Sequence, residues 1–246
     1  MAFAAAADWD KSVRIQREGP TIVHPPIEEW QWRPSRSDVA AYFDNMLPAP
    51  PELDGFSNDP GPWSIDFEAT IDRRVVCLGI WSCYEPTKHQ GICIPFLSQG
   101  GANYWSASDE ARVFDMVSAF FTDPSRPKIG QNAVGYDTGY PPFNQRSLIK
   151  EAWGINVRGI LGDCMVGHHC CFSELKHSLA FQASIATDLP PYKEELWDSD
   201  VDEEDDSEDD WTRILDRPDE KVRVYNLRDA FAQAVIWNGL VLEMAP

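Results

Sequence analysis

The stretch Trp63–Thr70, WSIDFEAT, sets two acids into a run that otherwise reads as a buried β-strand. Side chains along a strand alternate between faces with period two, so Asp66 and Glu68 point one way and Phe67 the other. Carboxylates that close repel each other, and an unpaired one in an apolar run must take up a proton or recruit a cation. Either something positive lies against the two acids, or they sit at a strand end facing water. Phe67, on the opposite face, reads as core.

Downstream, RRVVCLGIWSCY and GICIPFL are two more β-rich segments, and with WSIDFEAT they predict an antiparallel meander. SASDEARVFDMVSAFFTD follows, with Val113, Met116, Val117, Phe120 and Phe121 at helical spacing. RPKIGQNA reads as a short strand entering a loop. PPFNQRSLIKEAWG reads as a helix with Pro near its first turn and Gly154 just past its end. NVRGILGDC is a further strand, CMVGHHCCF and HSLAFQASIAT are short helices, and KVRVYNLRDAFAQAVIWNGL is a long terminal helix. Strands that first meander and then alternate with helices predict an α/β domain with a mixed sheet over residues 61–246. Residues 1–60 read as a lead-in: an extended arm, GPTIVHPPIEEWQWRPS, and a short helix, SRSDVAAYFDNM, begun by Ser35 or Ser37.

The chain has 246 residues, of which 43% are apolar, enough for a sizeable core. No apolar run is long enough to span a bilayer, so no membrane partner is expected. The start, MAFAAAADW, lacks the pattern of a secretion signal, so a cytoplasmic or nuclear location is expected. The six cysteines have no framework spacing and read as reduced thiols. A formal charge of −19 argues superficially against a nucleic-acid partner. Ten of the acids, however, fall in one tract, Asp198–Asp210, which reads as a solvated, mobile loop and leaves −9 elsewhere. The alternative for the tract is a strand of charge that mimics nucleic acid or binds a basic partner. Net charge dominated by one local feature excludes nothing about a small cleft.

Asp-x-Glu alone is weak evidence, since Asp202 and Glu204 repeat it inside the acidic tract. Two other stretches add weight. GQNAVGYD puts Asn132 and Asp137 at a strand-to-helix junction, and YNLRDA puts Tyr225 and Asp229 one helical turn apart. Taken singly, Asp229 reads as an exposed helix acid pairing with Arg228 or Lys221. Together, Asp66-x-Glu68, Asn132-x-x-x-Tyr136-Asp137 and Tyr225-x-x-x-Asp229 occur in the order seen in the DEDD superfamily of 3′→5′ exonucleases, named for four acids. The chain resembles the tyrosine branch of that superfamily, and in particular the proofreading domain of family A, phage-type DNA polymerases. The likeness runs from about Trp63 to Leu242.

The resemblance implies a ribonuclease H-like fold, a mixed five-stranded sheet flanked by helices, and phosphodiester hydrolysis with two Mg²⁺ or Mn²⁺ ions. It implies that Asp66 bridges both ions, that Glu68 and Asp229 complete the site on the nucleophile side, and that Asp137 holds the second ion. Tyr225 is implied to orient the attacking water. Asn132 is carried as a substrate-binding residue or a brace of its motif, and Phe67 is carried beside it as a substrate-binding candidate despite its core reading. The expected substrate is a DNA 3′ end, single-stranded or frayed, with a DNA polymerase as a possible partner. RNA trimming by the same site, and a non-catalytic nucleic-acid or polymerase-interaction module, stay open as alternatives. Asp163 is similar to an acid that recurs in related domains in a structural role. His168–Cys171, GHHCC with Gly167, invites a zinc reading, but four consecutive residues cannot wrap one tetrahedral ion, so helix packing is expected. Gly79, Gly91 and Gly130 form no phosphate-loop pattern, which leaves a nucleoside triphosphatase without support.

Overall fold

The computed structural model describes residues 11–46, 62–138, 147–192 and 213–244. The acidic tract and the proline pair before Phe143 lie outside them. Five strands form one sheet: β1 (Trp63–Ala69), β2 (Val75–Ser82), β3 (Ile92–Pro95), β4 (Lys128–Gly130) and β5 (Ile160–Asp163). Their spatial order is β3-β2-β1-β4-β5, antiparallel across β3, β2 and β1 and parallel across β1, β4 and β5. The meander and the mixed α/β sheet are as the sequence predicts, and this five-stranded order fits a ribonuclease H-like fold.

Seven helices are described: α1 (residues 11–18), α2 (Arg36–Asp44), α3 (Ala107–Thr122), α4 (Leu148–Trp153), α5 (Cys164–Cys171), α6 (Leu179–Ala186) and α7 (Asp219–Met244). Side-chain oxygens start them where the sequence supplies short polar residues: Ser35, Ser106, Ser147, Asp163 and Ser178 each accept an N–H of the first turn. Each such cap contributes about 1 kcal/mol. Ser35, not Ser37, caps α2, in a reciprocal box with Asp38. Helix α4 stops at Gly154, whose φ of +69° lies in the left-handed region.

The alternation of β1 divides the core. Trp63, Ile65, Phe67 and Ala69 face α2, α3 and α4, in a cluster with Phe120, Phe121, Leu148 and Ile149. Burying each large apolar side chain there contributes about 1.5–3 kcal/mol. Ser64, Asp66 and Glu68 face the other way, toward α7, whose Leu227, Ala230 and Phe231 pack with Trp30 and Trp81. Two glycines let α7 lie close. A Cβ on Gly79, which pairs with Asp66 across β1 and β2, would stand 2.5 Å from the Asn226 side-chain oxygen. One on Gly162 would stand 2.1 Å from the Trp237 ring.

The segment before β1 belongs to the same body. Trp30 is buried against Trp81, and the Gln31 carbonyl accepts the Cys93 N–H at the outer edge of β3. Ahead of the arm expected to be extended from Gly19, residues 11–18 form a helix that the sequence reading did not assign, since KSVRIQRE holds no breaker before Gly19. Asp188, just after α6, ties this segment down by accepting from the Thr21 and Ile22 N–H groups and from Arg14 at 2.5 Å. Those donors hold its carboxyl down at about 2 despite its burial.

Candidate metal centre

Strand β4 pairs with β1 only at Trp63 and Ser64. Beyond that point the chain leaves β4 and makes one wide turn, Ala133–Asp137, beside the half of β1 that carries Asp66 and Glu68. The carboxyl end of a parallel strand next to a change in sheet direction is where α/β folds place ligands. Asn132 opens the turn with φ +54°, a left-handed conformation that Asn tolerates better than most residues. Its N–H and that of Val134 both donate to Asp163, which also accepts from Met165 and Val166 at the start of α5. Asp163 is therefore a clasp between two loops.

Helix α7 crosses the same half of β1. Asn226, Asp229 and Gln233, spaced three and four residues apart, lie on one helical face. Asp66, Glu68 and Asp229 present oxygens that all lie within 4.8 Å of one another. Asp229, which its local sequence marks as an exposed helix acid, is buried. Asp137 is also buried and stands outside this group, yet close enough for its charge to raise the carboxyls of Asp66 and Glu68. Among the described residues, Asp66, Glu68 and Asp229 are the group of metal-ligating side chains that converges in this way.

Electrostatically the group is unbalanced. Burial pushes the Asp66 carboxyl well above the usual range, and Asp229 and Asp137 push it further. Glu68 is raised by burial and then by Asp66, and Asp137 by burial and by Asp163. Neutral amides support Asp66: Asn226 donates to Oδ2 at 2.7 Å and Gln233 to Oδ1 at 2.8 Å, while Gln233 in turn accepts from Ser64. Glu68 Oε2 is buried without a hydrogen-bond partner. At these separations each unneutralised carboxylate pair costs on the order of 3 kcal/mol with an effective dielectric constant near 20. Three converging carboxylates with one orphaned oxygen are the donor set that hard divalent cations take. This buried acidic group can hold a metal ion.

Two tyrosines flank the acids. Tyr225, half-buried one turn before Asp229, has its hydroxyl held protonated by burial and by the charges of Asp229 and Glu68. Tyr192, on the segment after α6, donates to Asp229 Oδ1 at 2.7 Å, and its ring meets that of Tyr225 edge-on. Both rings, with Val224, Lys221, Arg228 and Ile27 from the segment before β1, line a pocket of about 570 Å³.

The remaining site candidates lie elsewhere. Phe67 is core on the far side of β1, packed on Phe121 and Trp153. The Asn132 side chain is exposed on its turn, and Tyr136 beside it lies under the Arg73 guanidinium. His168 and His169 direct their Nδ1 atoms to the two ring nitrogens of His177, at 2.8 and 3.0 Å. Tyr192, Asn226 and Gln233 are the residues the sequence reading missed. Gln233 carried a signal, an amide one turn past Asp229 inside the apolar run AFAQAVIW. No helix among the described residues is long and apolar enough to cross a membrane.

The sequence matches no family model and no curated protein. Among solved structures, the chain aligns with the POL domain of Pol1 from M. smegmatis in complex with DNA primer-template and dNTP. The identity is 15% and the TM-score 0.34, over 56% of this chain and 21% of that one. The chain thus spans about a fifth of that structure's length.

Proposed function

We propose that the chain is a metal-dependent 3′→5′ exonuclease of the tyrosine branch, removing nucleotides from single-stranded or frayed DNA 3′ ends. The observation that carries this reading is the convergence of Asp66 and Glu68 with Asp229, from the far end of the chain, in one buried group. Asp66, Glu68 and Asp229 would hold one Mg²⁺ or Mn²⁺, and Asp66 with Asp137 a second. Bound there, such ions supply charge stabilisation and an activated water at a phosphodiester. The protein's own part is positioning. Asn226 and Gln233 fix both oxygens of Asp66, which is half-buried beside the buried Glu68 and Asp229. The raised Tyr225 hydroxyl keeps its proton at neutral pH, so it orients a water by hydrogen bonding instead of abstracting a proton.

The test is a 5′-labelled single-stranded DNA oligonucleotide incubated with the protein and Mg²⁺ or Mn²⁺, beside the matched RNA. A ladder shortening from the 3′ end is expected on DNA and not on RNA. Asp66→Ala is expected to lower the rate by about 10³-fold, the loss of several kcal/mol of charge stabilisation, with the fold retained by circular dichroism. Equal turnover by wild type and variant overturns the reading. Intact DNA that nonetheless binds would point to the interaction module instead.

A further inference from the structure

Resting on the nuclease reading of this site, we infer that Tyr192 is a positioning residue for the metal centre, acting through Asp229. A terminal carboxylate torsion is broad and two-fold, so a carboxylate turns easily unless something holds one of its oxygens. Asp66 is held on both oxygens by amides from α7. Asp229 is held at Oδ1 by the Tyr192 hydroxyl, which arrives from a different part of the chain. An O–H donated to a carboxylate is among the stronger hydrogen bonds, so this contact fixes the angle at which Asp229 presents its carboxylate to Asp66 and Glu68.

The hydroxyl is aimed in advance by its surroundings. The segment that carries it leaves α6 through Thr187, Asp188 and Leu189, all buried. Thr187 bonds back to the Ala183 carbonyl and accepts the Leu189 N–H, while Asp188 is clasped by the segment before β1. Pro190 and Pro191 then restrict the backbone directly before Tyr192. The ring is fixed by the edge of Tyr225, at 5.7 Å between centroids, and by the Arg228 guanidinium at 5.5 Å. A tyrosine held on both sides, with its hydroxyl on a buried carboxylate of a converging acid group, does for Asp229 what second partners do for ligating carboxylates in general.

The experiment compares wild type with Tyr192→Phe, which keeps the ring and removes the hydroxyl. Mn²⁺ binding to the protein free of nucleic acid is measured by calorimetry, together with the melting temperature in chelator. Expected is a roughly 10-fold weaker Mn²⁺ affinity with an unchanged melting temperature. In turnover assays the half-saturating Mn²⁺ concentration rises by the same factor, excess Mn²⁺ restores kcat, and KM for DNA stays put. Unchanged Mn²⁺ affinity overturns the inference, and so does a lowered melting temperature with unaltered metal dependence. If wild type binds Mn²⁺ but does not cleave DNA, the nuclease reading fails while the binding comparison still decides the role of Tyr192.

Discussion

On the α3 side of the sheet, Ile65, Phe67, Leu78 and Ile80 meet Val117, Phe120 and Phe121, hydrocarbon against hydrocarbon. On the α7 side of the same strand, Ser64, Asp66 and Glu68 meet Asn226, Asp229 and Gln233. The first face needs only volume and apolarity, and it tolerates substitution as long as both are kept. The second needs particular atoms at particular distances, and three like charges on it oppose folding. What holds the acids together is the apolar frame around them, Leu227, Ala230, Phe231 and Trp81 together with the whole opposite face. One strand, alternating its side chains, thus carries stability on one side and strain on the other.

The sharpest way to break this contrast is to empty the apolar face. Phe121→Ala removes a fully buried ring and is expected to destabilise by about 3–5 kcal/mol in urea melts. Activity per folded molecule is expected to survive, since no acid is touched. A loss of activity with stability intact would mean that the faces are not separable.

The acid face answers to protons and cations instead. The folded carboxyls of Asp66, Glu68 and Asp137 lie above their unfolded values, so between about pH 4 and the raised values the folded state binds more protons. Their contribution to stability is therefore present at low pH and lost as pH rises through that window. Thermal melts in chelator are expected to fall from pH 5 to pH 8, and less steeply in Asp66→Asn. Mn²⁺ at a hundredfold its dissociation constant is expected to return about 2.7 kcal/mol at pH 8 and much less at pH 5. A metal response independent of pH would sever the link between these acids and the ion.

The smallest expected effect falls on the joint between the faces. Gly79→Ala places a methyl against Asn226, and overpacking of this kind costs about 1–3 kcal/mol. Because Asn226 braces Asp66, turnover is expected to fall by more than stability alone explains, which the ratio of activity to folded fraction measures.

Most of the fold was legible from local pattern: alternation with period two in β1, apolar β-rich runs bounded by turn signals in β2 and β3, a period of 3.6 in α3, and a capping serine or closing glycine at helix ends. Asp66, Glu68 and Asp229 were legible through motif order. Their supports were not, for physical reasons. Asn226 is one polar residue on a helix and acquires meaning only from the register that sets Gly79 opposite Asp66. Tyr192 sits in LPPYKEE, a turn-like stretch whose composition says nothing about which distant carboxylate its hydroxyl meets. The helix at residues 11–18 went unassigned because KSVRIQRE is too short and too polar to show a helical apolar stripe.

The contact of Gln31 with the outside of β3 bears on how the molecule meets its own copies. An outermost strand exposes donors and acceptors that invite another chain to extend the sheet. Here the Gln31 carbonyl already takes the Cys93 amide, and Trp30 is sunk beside it. The protein thereby guards its own border, and self-association by strand addition along β3 has first to peel that segment away.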